Sequence, residues 1–251
     1  MRALVLSDVH GNLEALNAAL AAAGEVDAVW NLGDVVGYGA SPNEVIEIVR
    51  ERAQYNVRGN HDRVCCGLAS AVGFNPVARM AAEWTREEMT AANREWLAQV
   101  PKGPLTPEGL PGISLAHGSP LNEDQYIITM RDAWAPLQQS SINITFIGHT
   151  HLQGGFMQKD EDWSELRPRY NTRNDAETWT LAVAEGSRYL INPGSIGQPR
   201  DNDWRAGFAI YDTSAMEIVF HRIPYDLTAA QGRILMAGLP EKLAARLREG
   251  R

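Results

Sequence analysis

Five short apolar runs in this chain each stop at a cluster of Gly, Asp, Asn and His, and that recurrence restricts the fold more than any other feature. Residues 2–6 run into Ser7-Asp8-Val9-His10, residues 28–32 into Gly33-Asp34, and residues 55–57 into Arg58-Gly59-Asn60-His61-Asp62. Residues 113–116 end in His117-Gly118 and residues 144–147 in Gly148-His149-Thr150-His151. Largely apolar runs of this length read as buried strands. Open α/β sheets place their binding residues at the carboxyl ends of such strands.

Helical patterns separate these runs. Leu13, Leu16 and Leu20 recur at helical spacing up to a capping Gly24, and Ser41-Pro42 opens a helix whose apolar face is Val45, Ile46 and Val49. Residues 75–100 read as helical, packed through Trp84, Met89, Trp96 and Leu97, and residues 132–139 predict a shorter helix. Residues 102–112, rich in Pro and Gly, read as turn or short edge strand. Beyond residue 150 the pattern changes to short strand candidates with turns between them, at 155–158, 179–183, 189–192, 207–212 and 217–222, which suggests antiparallel pairing. Asp226 is placed to cap a helix, and Gly238-Leu239-Pro240 separates it from a last amphipathic helix at 241–249. Residues 159–178 are charged and poor in aliphatics, and so predict a solvated hairpin extension or a mobile lid.

With 251 residues, 44% of them hydrophobic, the chain can bury a full core, and we expect one domain spanning 1–251. A formal charge of -8 disfavours a nucleic-acid polymer or an anionic membrane as partner. No apolar run reaches spanning length and the N-terminal run is too short for a signal peptide, so the expected compartment is the cytoplasm. The two cysteines, Cys65-Cys66, are adjacent and cannot supply the spacing of a zinc or redox site. They read as ordinary reduced thiols, or else Cys65 lines the pocket near Asp62.

Five of the six histidines sit in the polar clusters; His221, on an apolar strand, reads as structural. Asp8 with His10, and His149 with His151, are spaced two apart at strand ends, so each pair can face one side and chelate. Imidazole with carboxylate suits Mn, Fe, Zn, Co or Ni better than calcium. Asp34 is the natural bridging carboxylate, since Gly33 leaves room for close approach.

Together, Asp8-Val9-His10, Gly33-Asp34-Val35-Val36-Gly37, Gly59-Asn60-His61-Asp62, His117-Gly118 and Gly148-His149-Thr150-His151 resemble the five blocks of the calcineurin-like metallophosphoesterase superfamily, in order. Tyr38-Gly39, Asn192-Pro193-Gly194-Ser195 and Gly238-Leu239-Pro240 resemble its bacterial branch related to diadenosine tetraphosphatases and protein phosphatases. The resemblance implies a four-layer α/β/β/α sandwich of two mixed sheets flanked by helices. It implies two divalent metal ions, one held by Asp8, His10, Asp34 and His151 and the other by Asp34, Asn60, His117 and His149. It implies a phosphoesterase acting on a small phosphorylated, possibly nucleotide, substrate at a diester, anhydride or monoester bond. In such a site two ions about 3.5 to 4 Å apart activate water and clamp phosphoryl oxygens. His61 is implied to be the catalytic residue that contacts the phosphate or protonates the leaving oxygen.

Many members carry an aspartate where this chain has Gly37, one that orients the catalytic histidine. Its absence leaves the partner of His61 open and disfavours a dedicated protein phosphatase. Arg200 could grip a substrate phosphate or pair with Asp201 or Asp203. Tyr38 could stack on a base or pack. A haloacid-dehalogenase-type phosphatase would need an aspartate at position 10, which is His10. The alternative of another class is a non-catalytic metal-binding interaction module on the same fold.

Overall fold

In the computed structural model, which describes residues 1–251, the strands are β1 (Arg2–Leu6), β2 (Ala28–Asn31), β3 (Tyr55–Asn56), β4 (Ile113–Leu115), β5 (Ile144–Phe146), β6 (Gly154–Lys159), β7 (Asp162–Leu166), β8 (Glu177–Ala182), β9 (Arg188–Asn192), β10 (Ala206–Asp212) and β11 (Glu217–Ile223). The helices are α1 (Leu13–Ala23), α2 (Pro42–Arg52), α3 (Asn60–Cys65), α4 (Pro76–Glu88), α5 (Ala91–Gln99), α6 (Met130–Gln139), α7 (Leu227–Met236) and α8 (Glu241–Glu249). One sheet has the order β3-β2-β1-β10-β11-β8 and the other β4-β5-β9-β6-β7. Both are mixed: β1 pairs parallel with β2 and antiparallel with β10, and β9 pairs parallel with β5 and antiparallel with β6.

Side-chain alternation along the strands builds the layers. Leu4 and Leu6 of β1 face the helices α1, α2, α4, α5, α7 and α8, while Ala3 and Val5 face the second sheet. Trp30, Phe146, Tyr211 and Phe220 fill the space between the sheets. Leu190 of β9 turns outward, with Phe156, to meet Ala133 and Leu137 of α6. The result is two mixed sheets face to face with helices outside, the arrangement expected from the sequence.

Two elements take a more definite form than the sequence pattern specifies. Residues 75–100 form two helices, because Met89 takes extended dihedrals and the Thr90 side chain accepts a hydrogen bond from Asn93 N (3.2 Å), starting a new helix. The cluster after β3 winds into α3, Asn60–Cys65, capped by Asp62. The expected cap at Asp226 is present, accepting from Ala229 N at 2.9 Å.

Of residues 159–178, the first part is the β6-β7 hairpin on the edge of its sheet, as expected. The remainder crosses to β8 at the edge of the other sheet and is pinned there. Tyr170 donates to Gln153 Oε1 (2.6 Å) and its ring faces the Arg205 and Arg222 guanidiniums. No helix is long and apolar enough to cross a membrane. Cys65 is buried among the helices on the far side of α3, where burial pushes its thiol well above the usual range.

Candidate metal centre

The five polar clusters meet at one end of the sandwich, and short backbone hydrogen bonds fix them to one another. Asp8 N donates to Gly33 O (2.9 Å), His10 N to Asp34 O (3.0 Å) and Gly148 N to His117 O (2.7 Å). Ser195 Oγ donates to Asp8 O (2.8 Å), and Asn192 Nδ2 to Gly148 O (2.8 Å) and Thr150 Oγ1 (2.9 Å). Gly59 is what lets the second and third clusters close: a Cβ there would lie 2.0 Å from Asp34 Oδ1.

The backbone at these positions is strained. Nine non-glycine residues have positive φ, and six of them (Asp8, His10, Asp34, Tyr38, His149 and His151) lie in the site loops. Left-handed dihedrals cost a residue with a Cβ about 1–2 kcal/mol each, and such strain collects where function holds it in place.

Hydrogen bonds decide which atom each side chain presents. His10 Nδ1 faces Val36 O (3.0 Å), His117 Nδ1 faces Leu32 O (2.9 Å) and His151 Nδ1 faces Gln198 O (2.5 Å). A carbonyl can only accept, so each of these rings carries a proton on Nδ1 and turns Nε2 toward the site. His149 is reversed: its Nε2 faces Asp124 O (3.3 Å) and its ring stacks on Tyr126 (3.9 Å between centroids), leaving Nδ1 to the site. Ser7 Oγ and His149 N occupy Asp8 Oδ2, and His61 N occupies Asp34 Oδ1 (2.8 Å). Asp8 Oδ1 is buried with no hydrogen-bond partner.

These free atoms fall into two groups that share Asp34. Asp8, His10, Asp34 and His151 form one, and Asp34, His117 and His149 the other, with ligand atoms in each within 4.8 Å of one another. Asp34 Oδ2 lies 3.7 Å from His10 Nε2 and 3.4 Å from His117 Nε2, between the two. Asn60 Oδ1 joins the second group, 3.1 Å from His117 Nε2. All seven side chains expected as ligands therefore converge.

The donor set fits cations. Burial resists charge on His117, yet Asp34 and Asp8 beside it hold its pKa up to about 10. Burial holds His61 and His149 down to about 4 and His10 well below the usual histidine range. Two fully buried carboxylates, one with an unpartnered oxygen, thus face a set of mostly neutral imidazoles, an arrangement that divalent cations complete.

His61 is not in either group. Its ring is boxed by Tyr38 (4.4 Å between centroids), Phe74 (4.5 Å) and His10 (4.9 Å), and its Nδ1 is buried without a partner. Gly37 sits against that nitrogen, with φ +88°, where a Cβ would come within 2.5 Å. Asp62 does not take the missing aspartate's place, since its carboxylate accepts from Gly59 N (3.0 Å) and Val36 N (3.2 Å). Burial, reinforced by the Asp34 charge, pushes that carboxyl up to about 7. Aromatic packing, not a carboxylate, holds His61.

Tyr38 is buried among His10, His61 and the Arg200 side chain. Arg200 is in no ion pair: Asp201 is taken by Arg222 and Asp203 by Arg205, and the Arg200 guanidinium meets Gln198 Oε1 (3.2 Å) and Tyr38 Oη (3.5 Å). His221 lies at the far side of the sheet, stacked on Phe208. Phe74, Tyr126 and the Gln198 and Asp124 carbonyls escaped sequence reasoning. Backbone carbonyls carry no residue signature, and the two aromatics lie outside the clusters.

Residues 1–216 match the model of the calcineurin-like phosphoesterase superfamily domain. The chain is 33% identical to an uncharacterized protein of Methanocaldococcus jannaschii, across 98% of this chain and 97% of that one. Among solved structures it is similar to a metallophosphoesterase from Sphaerobacter thermophilus, with 40% identity, TM-score 0.85, and 100% and 99% of the two chains covered. A hypothetical protein from Pyrococcus horikoshii shares the fold, with 22% identity, TM-score 0.78, and 100% and 98% covered.

Proposed function

We propose, from the premise that this chain belongs to the calcineurin-like phosphoesterase superfamily, that it is a hydrolase of small phosphate esters or anhydrides working with two divalent metal ions. The observation that carries this reading is the pair of ligand groups meeting at Asp34 Oδ2. Asp8, His10, Asp34 and His151 would hold one ion, and Asp34, Asn60, His117 and His149 the other. When bound, such ions supply Lewis acidity to phosphoryl oxygens and lower the pKa of water.

The remaining chemistry belongs to side chains. His61 donates a hydrogen bond to the substrate phosphate or its leaving oxygen. Its Nδ1 has no acceptor, and a buried N–H without one is costlier than an unused lone pair, so the neutral ring carries its proton on Nε2. That tautomer makes Nε2 the donor toward the substrate. Asp62 fixes the distance between the Val36 and Gly59 loops, and through them between Asp34 and His61. Arg200, free of carboxylates, binds substrate phosphate.

The test is metal analysis joined to turnover of an aryl phosphodiester and an aryl phosphomonoester in manganese, nickel, zinc and magnesium. Bound metal with hydrolysis that chelator abolishes supports the reading. Bound metal without turnover of any ester supports the interaction module instead.

A further inference from the structure

Two arginines lie beside the metal centre without forming an ion pair to any aspartate or glutamate. Elsewhere in the chain Arg63, Arg205 and Arg222 are each ion-paired to aspartate or glutamate. Arg200 and Arg246 are not. The Arg200 guanidinium carbon lies 5.9 Å from the centre of the Tyr38 ring, and that of Arg246, reaching across from α8, lies 5.7 Å from it. Arg200 Nε is buried with no partner, while Arg246 donates from Nε to Arg251 O (2.7 Å) and hydrogen-bonds Tyr38.

Their placement is anchored to the site. Arg200 N donates to His151 O (3.3 Å), and Tyr38 packs against His10 and His61. The charges also press on one another: burial and then the Arg200 charge draw the Arg246 pKa down. Holding two like charges over one ring costs free energy that an anion between them removes. Guanidinium forks match the oxygens of a phosphoryl group.

We propose that Arg200 and Arg246 clamp a second phosphoryl group of the substrate, next to the one at the metal centre, so that the preferred substrates carry a phosphoanhydride. The proposal rests on the phosphoesterase reading above. Hydrolysis would then form a bond from the water oxygen to the phosphorus at the metal centre and break the bridging P–O bond. One water proton ends on the oxygen released with the outer group, and the other leaves with the new phosphate. Arg246 is the specificity residue, because its helix lies outside the five clusters.

The experiment measures phosphate release from AMP and ADP by the manganese-loaded protein and by Arg246→Gln and Arg246→Lys. The expected result is that Arg246→Gln raises KM for ADP by about tenfold more than for AMP, a charge-assisted hydrogen bond's worth, with kcat for ADP changed less. Lysine should recover part of the loss. An equal factor on both substrates, or none, overturns the proposal. If the wild-type protein hydrolyses neither nucleotide, the aryl-ester assay above decides the phosphoesterase reading by itself, and calorimetric titration with inorganic pyrophosphate and orthophosphate decides the clamp. A preference for pyrophosphate that Arg246→Gln erases supports it, and equal binding of the two anions overturns it.

Discussion

Replacing Gly37 with alanine should stop the chemistry while leaving the metals in place. The added Cβ would sit 2.5 Å from His61 Nδ1, 3.1 Å from Cγ and 3.2 Å from Cβ. Ordinary contact begins near 3.4 Å, so the ring must move by about 0.9 Å. Tyr38, Phe74 and His10 close off its retreat. A misplacement of about 1 Å at a reacting group costs roughly 10²-fold in rate, which sets the expected fall in kcat. The φ of +88° adds about 1–3 kcal/mol of backbone strain, or a Tm lower by about 2–12 °C in a chain of this size. The assay pairs steady-state turnover of an aryl phosphodiester with metal content of the same sample. The three atoms nearest that Cβ all belong to His61 rather than to a clustered ligand, so metal content should match wild type. A variant that keeps turnover within about threefold would refute the claim that His61 position limits the rate. Loss of metal with turnover would refute its separation from the ligands.

Other perturbations have equally definite outcomes. His61→Ala should retain metal by elemental analysis while kcat falls by about 10²- to 10⁴-fold; loss of metal would make His61 a ligand. His221→Gln should flatten the acid limb of stability. Burial draws the His221 pKa down to about 4 from 6.5, so between those values the unfolded chain binds the proton and the folded one does not. Stability therefore falls as pH drops through that window, by roughly 1 kcal/mol once solvent at the half-buried ring is allowed for. Denaturant melts at pH 7 and pH 4 measure it, and equal slopes for both proteins would contradict it. Thr90→Ala removes the cap that starts α5 and should lower stability by about 1 kcal/mol with turnover unchanged; an unchanged melt would show that packing alone starts that helix.

The sandwich and the convergence of the clusters were legible because both follow from local rules. Buried strands read as apolar runs, and their polar ends meet wherever the sheet brings the strands together. The break at Met89 was hidden because both halves keep an apolar helical face, and a single threonine decides where one ends. Gly37 in place of an aspartate was visible, but its consequence was not. Phe74 reaches His61 across a loop, and nothing in its neighbourhood, Gly73-Phe74-Asn75, marks a site. The reversed His149 was equally hidden, since only the Asp124 carbonyl and the Tyr126 ring impose it. Arg246 lies on an amphipathic helix where arginine is ordinary; only the fold brings it over Tyr38.

The most direct test of the paired centre is anomalous diffraction from crystals grown with manganese. Two peaks about 3.5 to 4 Å apart, on either side of Asp34 Oδ2, are the predicted result. One peak, or two that do not share Asp34, would contradict it.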